Sequence, residues 1–267
     1  MGFGACTRAC GADAGAPEFG ATGPAERRSP DIAAVYWSML GPRPPKVELP
    51  TECAVCRRWS AARLCPGCRQ RFAAPAPRCQ RCALRLPPSA GPVCGHCLTA
   101  PPPLQACVAA LDYDFPWAAL IQRYKFRAGL DLLPLWSLLL DEALQRHTAA
   151  GVDVLIPIPL SRERLRERGF NQSLQLARAL AQRRQCALAP EGLLRVRHTE
   201  QQARLALDQR PANLRHAFAA TQDWSGQRVA LLDDVITSGA TLHEAARTLR
   251  RAGAREVQAW VLARTPD

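Results

Sequence analysis

Two groups of residues in this chain are spaced to do chemistry. The first is a run of eight cysteines in four Cys-x2-Cys pairs: Cys53/Cys56, Cys65/Cys68, Cys79/Cys82 and Cys94/Cys97. Each pair places two thiolates on one side of a tight knuckle, and two knuckles complete a tetrahedral S4 site for zinc. Four knuckles therefore supply two sites of structural type, with protein filling every position on the metal. Spacers of eight residues (57–64) and eleven residues (83–93) make sequential pairing the simplest topology, and crossed pairing stays open. A disulfide framework fits less well, because no export signal accompanies the cysteines. Cys6, Cys10, Cys107 and Cys186 fall outside the scheme and read as free thiols, and His96 reads as a bystander.

The second group lies in VALLDDVITSGATL, residues 229–242. An apolar strand, Val229 to Leu232, ends in two adjacent carboxylates, Asp233 and Asp234. A short loop with Thr237, Ser238, Gly239 and Thr241 then leads into a helix. Backbone N–H groups of such a loop, with the positive end of the helix behind them, make a cradle for phosphate. Gly239 lets the backbone approach the anion closely, and the hydroxyls add donors. Carboxylates beside a phosphate would repel it. A sugar phosphate resolves the conflict by presenting a diol to the carboxylates and its anion to the loop.

Elements that must position these groups are legible around them. From about residue 107 the chain alternates strands with helices, the pattern of a parallel sheet covered by helices. Helices are predicted over 117–128, 131–149, 171–184 and 241–251, the third capped by Asn171 and the last closed by Gly253. Strands are predicted over 152–159, 229–232 and 257–262. Pro101, Pro102 and Pro103 make a stiff connector between the cysteine pairs and this region. The resulting division is a disordered leader (1–46), a cysteine domain (47–100), a connector (101–106) and an α/β domain (107–267). Residues 1–38 are rich in Gly, Ala and Pro; they are either a flexible tail or an artefact of a start placed ahead of Met39.

Composition sets the outer limits. The chain has 267 residues, 48% of them hydrophobic and 22% charged, which argues against global disorder. No apolar run reaches the length of a membrane span; Leu132 to Leu144 is interrupted by Pro134, Asp141 and Glu142. A basic, cytoplasmic protein without membrane insertion is expected. The net charge is +12, carried by 33 Arg and only two Lys, Lys46 and Lys125. Eight arginines and no carboxylate lie between Cys53 and Cys97. Two zinc–tetrathiolate centres at −2 each reduce that +8 to about +4, still basic enough to suggest a nucleic-acid surface. Trp59 and Phe72 either stack on bases there or form the small ribbon core.

The 233–241 run closely resembles the phosphoribosyl pyrophosphate (PRPP) loop of type I phosphoribosyltransferases. YKFR at 124–127, IPIPLSRERLRERGFNQ at 156–172 and RHTEQQARLALDQRPANLRHAF at 197–218 are similar to the ComF family, also called the GntX group. The resemblance runs from about Cys53 to Arg264. It implies a double zinc ribbon ahead of a type I phosphoribosyltransferase-like parallel sheet flanked by helices. It also implies that Asp233 and Asp234 take the ribose hydroxyls and act as the catalytic pair. Val235, Ile236, Thr237, Ser238, Gly239, Ala240 and Thr241 would line the PRPP site, with 237–241 on the 5-phosphate. Leu160, Ser161 and Arg162 fall in the place of the pyrophosphate loop, within Pro157 to Glu163. Arg197, Gln201, Arg204, Arg210 and Asn213 lie in a hood-like segment, and Lys125 and Arg127 are further anion contacts. These hood residues equally suit a solvated polar loop.

Structural Zn2+ and Mg2+ accompanying PRPP are the implied metals. Purine enzymes of this fold carry an acid where Thr237 stands, and the lysine-rich hood of the orotate enzyme is absent, so no acceptor is specified. The resemblance implies a role in natural transformation and use of external DNA, with ribbon and basic surface on single-stranded DNA beside the cytoplasmic uptake machinery. The alternative is an active phosphoribosyltransferase of nucleotide salvage with an unidentified acceptor.

Overall fold

The computed structural model describes residues 50–126, 129–147, 151–196 and 216–266. Arg127, Arg197, Gln201, Arg204, Arg210 and Asn213, like Cys6, Cys10 and Met39, lie outside the described residues.

Two small ribbons open the described chain. Strands β1 (Thr51–Glu52) and β2 (Trp59–Ser60) form an antiparallel pair, and helix α1 (Pro66–Phe72) follows with proline in its first turn. Helix α2 (Gly95–Thr99) belongs to the second ribbon. The remaining elements are β3 (Ala106–Asp112), α3 (Trp117–Phe126), a 3-10 turn (Leu130–Leu132), α4 (Leu133–Arg146), β4 (Val154–Pro157), α5 (Arg162–Arg168) and α6 (Gln172–Arg184). They continue as β5 (Ala187–Leu188), β6 (Leu193–Arg195), β7 (Phe218–Ala220), β8 (Arg228–Ile236), α7 (Ala240–Arg251) and β9 (Glu256–Arg264). A parallel sheet of five strands runs in the order β3-β9-β8-β4-β5, and β6 and β7 pair separately as an antiparallel ribbon.

Burial explains the assignments. β9 is buried at every position between its ends, which suits a strand covered on both faces. In α7 the buried Leu242, Ala245, Ala246 and Leu249 repeat at helical spacing and form one apolar stripe. Asn171 does cap α6: its Oδ1 accepts from the Ser173 and Leu174 N–H groups at 2.9 and 3.3 Å. Three expectations need correction. β4 is shorter than 152–159. β8 continues beyond Leu232 to Ile236, because hydrogen bonding to β9 carries on as far as Ile236 and Arg264. The predicted helix over 131–149 covers only 133–146.

The two faces of the sheet have separate cores, and each core includes part of one ribbon. Cys53, Ala54, Leu64 and Cys68 pack with Trp117, Leu132, Trp136 and Leu140 on the α3–α4–α6 face. On the opposite face Ala83 and Leu104 join Leu242, Ala246 and Leu249 of α7. The second ribbon also covers the β3 edge, since the Cys107 N–H donates to the Gln80 carbonyl at 2.8 Å. Trp117 Nε1 donates to the Phe72 carbonyl at 2.8 Å and fastens the first ribbon.

Five of the eight ribbon arginines are drawn into pairs with carboxylates. Arg63 pairs with Asp131, Arg69 with Glu142, and both Arg78 and Arg85 with Asp112, at 2.7 and 3.0 Å for the last two. Arg57 pairs with Glu52 at 3.3 Å, and Arg81 donates to the Leu104 carbonyl at 2.9 Å. Each exposed pair contributes at most about 1 kcal/mol, but together they set the ribbons against the sheet. The missing carboxylates of residues 53–97 are supplied by the α/β region. Trp59 is 73% exposed and takes no part in a ribbon core, whereas Phe72 is half-buried against Phe115, 5.6 Å between ring centroids.

Candidate functional site

The eight paired cysteines gather into two clusters, Cys53/Cys56/Cys65/Cys68 and Cys79/Cys82/Cys94/Cys97, with the four sulfurs of each within 4.8 Å of one another. Pairing is therefore sequential. A tetrahedron with Zn–S near 2.3 Å needs sulfurs about 3.8 Å apart. Cys56 and Cys65 are 3.7 Å apart, as are Cys82 and Cys94. Backbone amides add polarity at the right place: the Cys65 N–H donates to Cys53 Sγ at 3.4 Å and the Cys94 N–H to Cys79 Sγ at 3.3 Å. Cys56 is pulled down to about 6 by the backbone and guanidinium of Arg58, while burial pushes Cys68 up to about 12. Four thiols so close cannot all ionise without a cation, so each cluster is suited to hold a zinc ion. His96 is not among the ligands. Cys107 and Cys186 are free thiols, and burial pushes Cys107 up to about 12.

The carboxylate pair lies near the C-terminal end of β8, inside the strand rather than after it. Parallel pairing brings Pro157 of β4 level with Leu232, and the Ile158 N–H donates to the Leu232 carbonyl at 2.9 Å. The loop leaving β4 therefore departs beside Asp233. Asp233 is half-buried; its Oδ1 accepts from Ser173 Oγ and from the Asp234 N–H, both at 2.9 Å. Asp234 is buried and pairs with Lys125 Nζ of α3 at 3.0 Å. Its Oδ2 is shielded from solvent and has no hydrogen-bond partner among the described residues. Withdrawal from water, and next the Asp234 charge, push Asp233 up to about 6.

The loop that follows exposes Thr237 and Ser238 and buries Gly239. Gly239 stands before α7 with φ +79°, and its carbonyl accepts from the His243 N–H at 2.8 Å. A Cβ there would come within 2.7 Å of His243 Nε2. Gly239→Ala is thus expected to cost about 1–3 kcal/mol in urea denaturation, beyond the ordinary Gly-to-Ala gain in a relaxed loop. An unchanged or raised midpoint would show that the left-handed turn is not needed. Burial, followed by nearby Arg247, holds His243 down at about 4. Arg264 Nη1 braces the loop by donating to the Thr237 carbonyl at 2.6 Å. Val235 and Ile236 are strand residues, half-buried and buried, and Ala240 and Thr241 open α7 half-buried.

Leu160 is half-buried and Arg162 is exposed. Ser161 is buried and caps α5, its Oγ accepting from the Arg164 N–H at 3.4 Å. Sequence reasoning missed three groups that the fold brings to the carboxylates. Ser173 is the hydroxyl on Asp233. Arg168 and Arg195 are basic groups whose charges act on Asp233, and burial lowers both, Arg195 to about 10. No local signal marks them in a chain with 33 Arg; only the turn at Gly169, which ends α5 at φ +75°, hints at a fixed position for Arg168.

A parallel sheet with a carboxylate pair, a glycine turn and a helix N-terminus at its C-terminal edge, preceded by two tetracysteine ribbons, defines a phosphoribosyltransferase-like protein. The family of phosphoribosyl transferase domains matches residues 171–267. Relatives extend the match to the ribbons. The DNA utilization protein YhgH of Salmonella typhimurium is 36% identical over 230 residues, 81% of this chain and 98% of that protein. Competence protein F of Haemophilus influenzae is 35% identical, covering 75% of this chain and 90% of its own length. Competence protein ComFC of Bacillus subtilis is 32% identical over 54% of this chain and 58% of its own. The chain belongs to the ComF family.

Proposed function

We propose that this chain binds PRPP, accompanied by Mg2+, at the ends of β4 and β8, and acts in the cytoplasm in the uptake or use of external DNA. The observation that carries the first part is the half-buried Asp233 at the C-terminal end of β8, followed by a loop that exposes Thr237 and Ser238 and turns at Gly239 into the start of α7. A ribose diol supplies donors to the carboxylate pair, Asp233 and Asp234. The N–H groups of residues 237–241 and the start of α7 take the 5-phosphate. Leu160, Ser161 and Arg162 flank the pyrophosphate, with Arg168 and Arg195 as further cations whose charges reach Asp233. Lys125 acts as a positioning residue that holds Asp234 through their 3.0 Å ion pair, instead of as a contact to the anion.

The carboxylates suit a metal that arrives with its substrate. Asp234 is tied to Lys125 and Asp233 to Ser173, so neither is free to form an all-protein cage, and Mg2+ ordinarily prefers substrate phosphates and water. Bound there, Mg2+ would neutralise the pyrophosphate. The named relatives are DNA utilization and competence proteins, which supports the second part. Exposed Trp59 and Phe115, close in sequence or space to Arg57, Arg58 and Arg71, offer stacking surfaces for single-stranded DNA.

Calorimetry with PRPP and Mg2+ tests the site. Binding is expected for the native chain and should vanish in the double variant Asp233→Ala/Asp234→Ala, with zinc content unchanged; binding that survives would falsify the assignment. A salt titration with a single-stranded oligonucleotide tests the DNA surface. Affinity should fall steeply with salt, and no binding at low salt refutes it.

A further inference from the structure

Tyr124, Lys125 and Phe126 close α3, and each reaches a different part of the carboxylate site. Tyr124 is buried; its hydroxyl donates to the Gln172 carbonyl at 2.8 Å, and its ring meets Phe170 edge-on, 6.2 Å between centroids. Lys125 pairs with Asp234. Phe126 is left 63% exposed, yet its ring centroid lies 4.9 Å from Arg168 Cζ. Anchoring of Tyr124 on either side of Asn171 fixes where that ring stands.

Arg168 ends α5, half-buried, and Gly169 turns the chain away behind it at φ +75°. Burial costs it hydration, and the charges of Asp233 and Asp234 act on it. Among the described residues it makes no hydrogen bond and no ion pair, and its Nε is shielded from solvent. A guanidinium in that state is held by the aromatic face, because cation–π attraction grows as water is withdrawn. Its unused donors match a pair of phosphate oxygens. Two carboxylates beside the loop oppose an arriving pyrophosphate, and a fixed cation offsets them.

We propose that Phe126 is a positioning residue that holds the Arg168 guanidinium for a bidentate contact to the pyrophosphate of the bound sugar phosphate. This role rests on the PRPP reading of the site, and Phe126 itself touches neither sugar nor phosphate. It acts through Arg168 alone. The ring keeps a long side chain in one arrangement before the ligand arrives, so less entropy is lost on binding. Exposure of the ring follows, since its face serves the cation instead of a core.

Calorimetry of the zinc-loaded full chain with Mg2+ and PRPP, and separately with ribose 5-phosphate, tests the role. Phe126→Leu should weaken PRPP binding about fivefold, the range of one cation–π contact, and Phe126→Tyr should keep native affinity. Arg168→Gln should weaken it about thirtyfold, the loss of one charge-assisted contact. The double variant Phe126→Leu/Arg168→Gln should bind no more weakly than Arg168→Gln alone, because nothing is left for the ring to position. Ribose 5-phosphate, which lacks the pyrophosphate, should bind the native chain and these variants alike. Losses that multiply in the double variant, an equal loss for ribose 5-phosphate, or a weakened Phe126→Tyr each overturn the role. PRPP binding that Asp233→Ala/Asp234→Ala removes but Phe126→Leu leaves intact overturns it while sparing the PRPP reading. No PRPP binding by the native chain overturns both.

Discussion

Lys125→Met is expected to destabilise this protein by about 3–5 kcal/mol, the usual result of removing one partner from a buried ion pair. Lys125 Nζ lies 3.0 Å from Asp234 Oδ1, with the two side chains only 16% and 5% exposed. Without the ammonium, two adjacent carboxylates remain beside a core that includes Tyr124 and Leu232. Urea denaturation at pH 7 measures the loss. The double variant Lys125→Met/Asp234→Asn should recover most of it, because an amide of the same shape carries no charge to be compensated. A cost below about 1 kcal/mol, typical of an exposed pair, would show that solvent reaches Asp234 and that Lys125 has no positioning role.

The pH dependence has a definite sign. Asp233 sits at about 6 in the folded chain, above the ordinary aspartate value it has when unfolded. The folded state therefore holds the extra proton across that window. The associated stability is present in full below the unfolded value and is lost as pH rises through about 6. Asp233→Asn should flatten this slope. Carboxyl 13C shifts of Asp233 would report the titration directly, and a midpoint near 4 would refute the raised value.

Stripping metal should have the larger structural effect. A strong chelator is expected to remove zinc from both clusters and unfold both ribbons, since structural sites contribute on the order of 10–16 kcal/mol in zinc-finger peptides at neutral pH. The consequence extends into the sheet. The amide of Cys107 on the edge strand β3 would lose its acceptor, the Gln80 carbonyl, and Trp117 would lose the Phe72 carbonyl. Hydrogen exchange at β3 should accelerate, and the bared edge should make the metal-free chain prone to association. Cys97→Ser should expose β3 and the 236–239 loop, whereas Cys68→Ser should loosen α3 and α4 first. Unchanged β3 protection after complete metal loss would mean that the ribbons are held by their ion pairs alone.

Several parts of the fold could be read along the chain. α7 was legible from Gly253, which closes it at φ +91°, and α6 from its Asn171 cap. Other parts were hidden for physical reasons. α5, RERLRER, buries none of its residues, so no apolar period marks it. β3 follows a proline run and is mostly alanine and small residues, although its strand is buried over most of its length. The arginines of the ribbons looked unpaired because Asp112, Asp131 and Glu142 stand far from them in sequence.

The same division holds at the sites. Four Cys-x2-Cys pairs and the Asp-Asp-x3-Ser-Gly loop are determined by sequence alone, because covalent spacing of two to five residues already sets two thiols on one knuckle and two carboxylates ahead of a glycine turn. Burial and distant partners are decided only by folding. Parallel pairing of β4 with β8 sets the first loop beside Asp233, α3 delivers Lys125 to Asp234, and the end of α5 brings Arg168 against Phe126. Such contacts join residues tens to more than a hundred positions apart, and no local pattern records the surface each will meet.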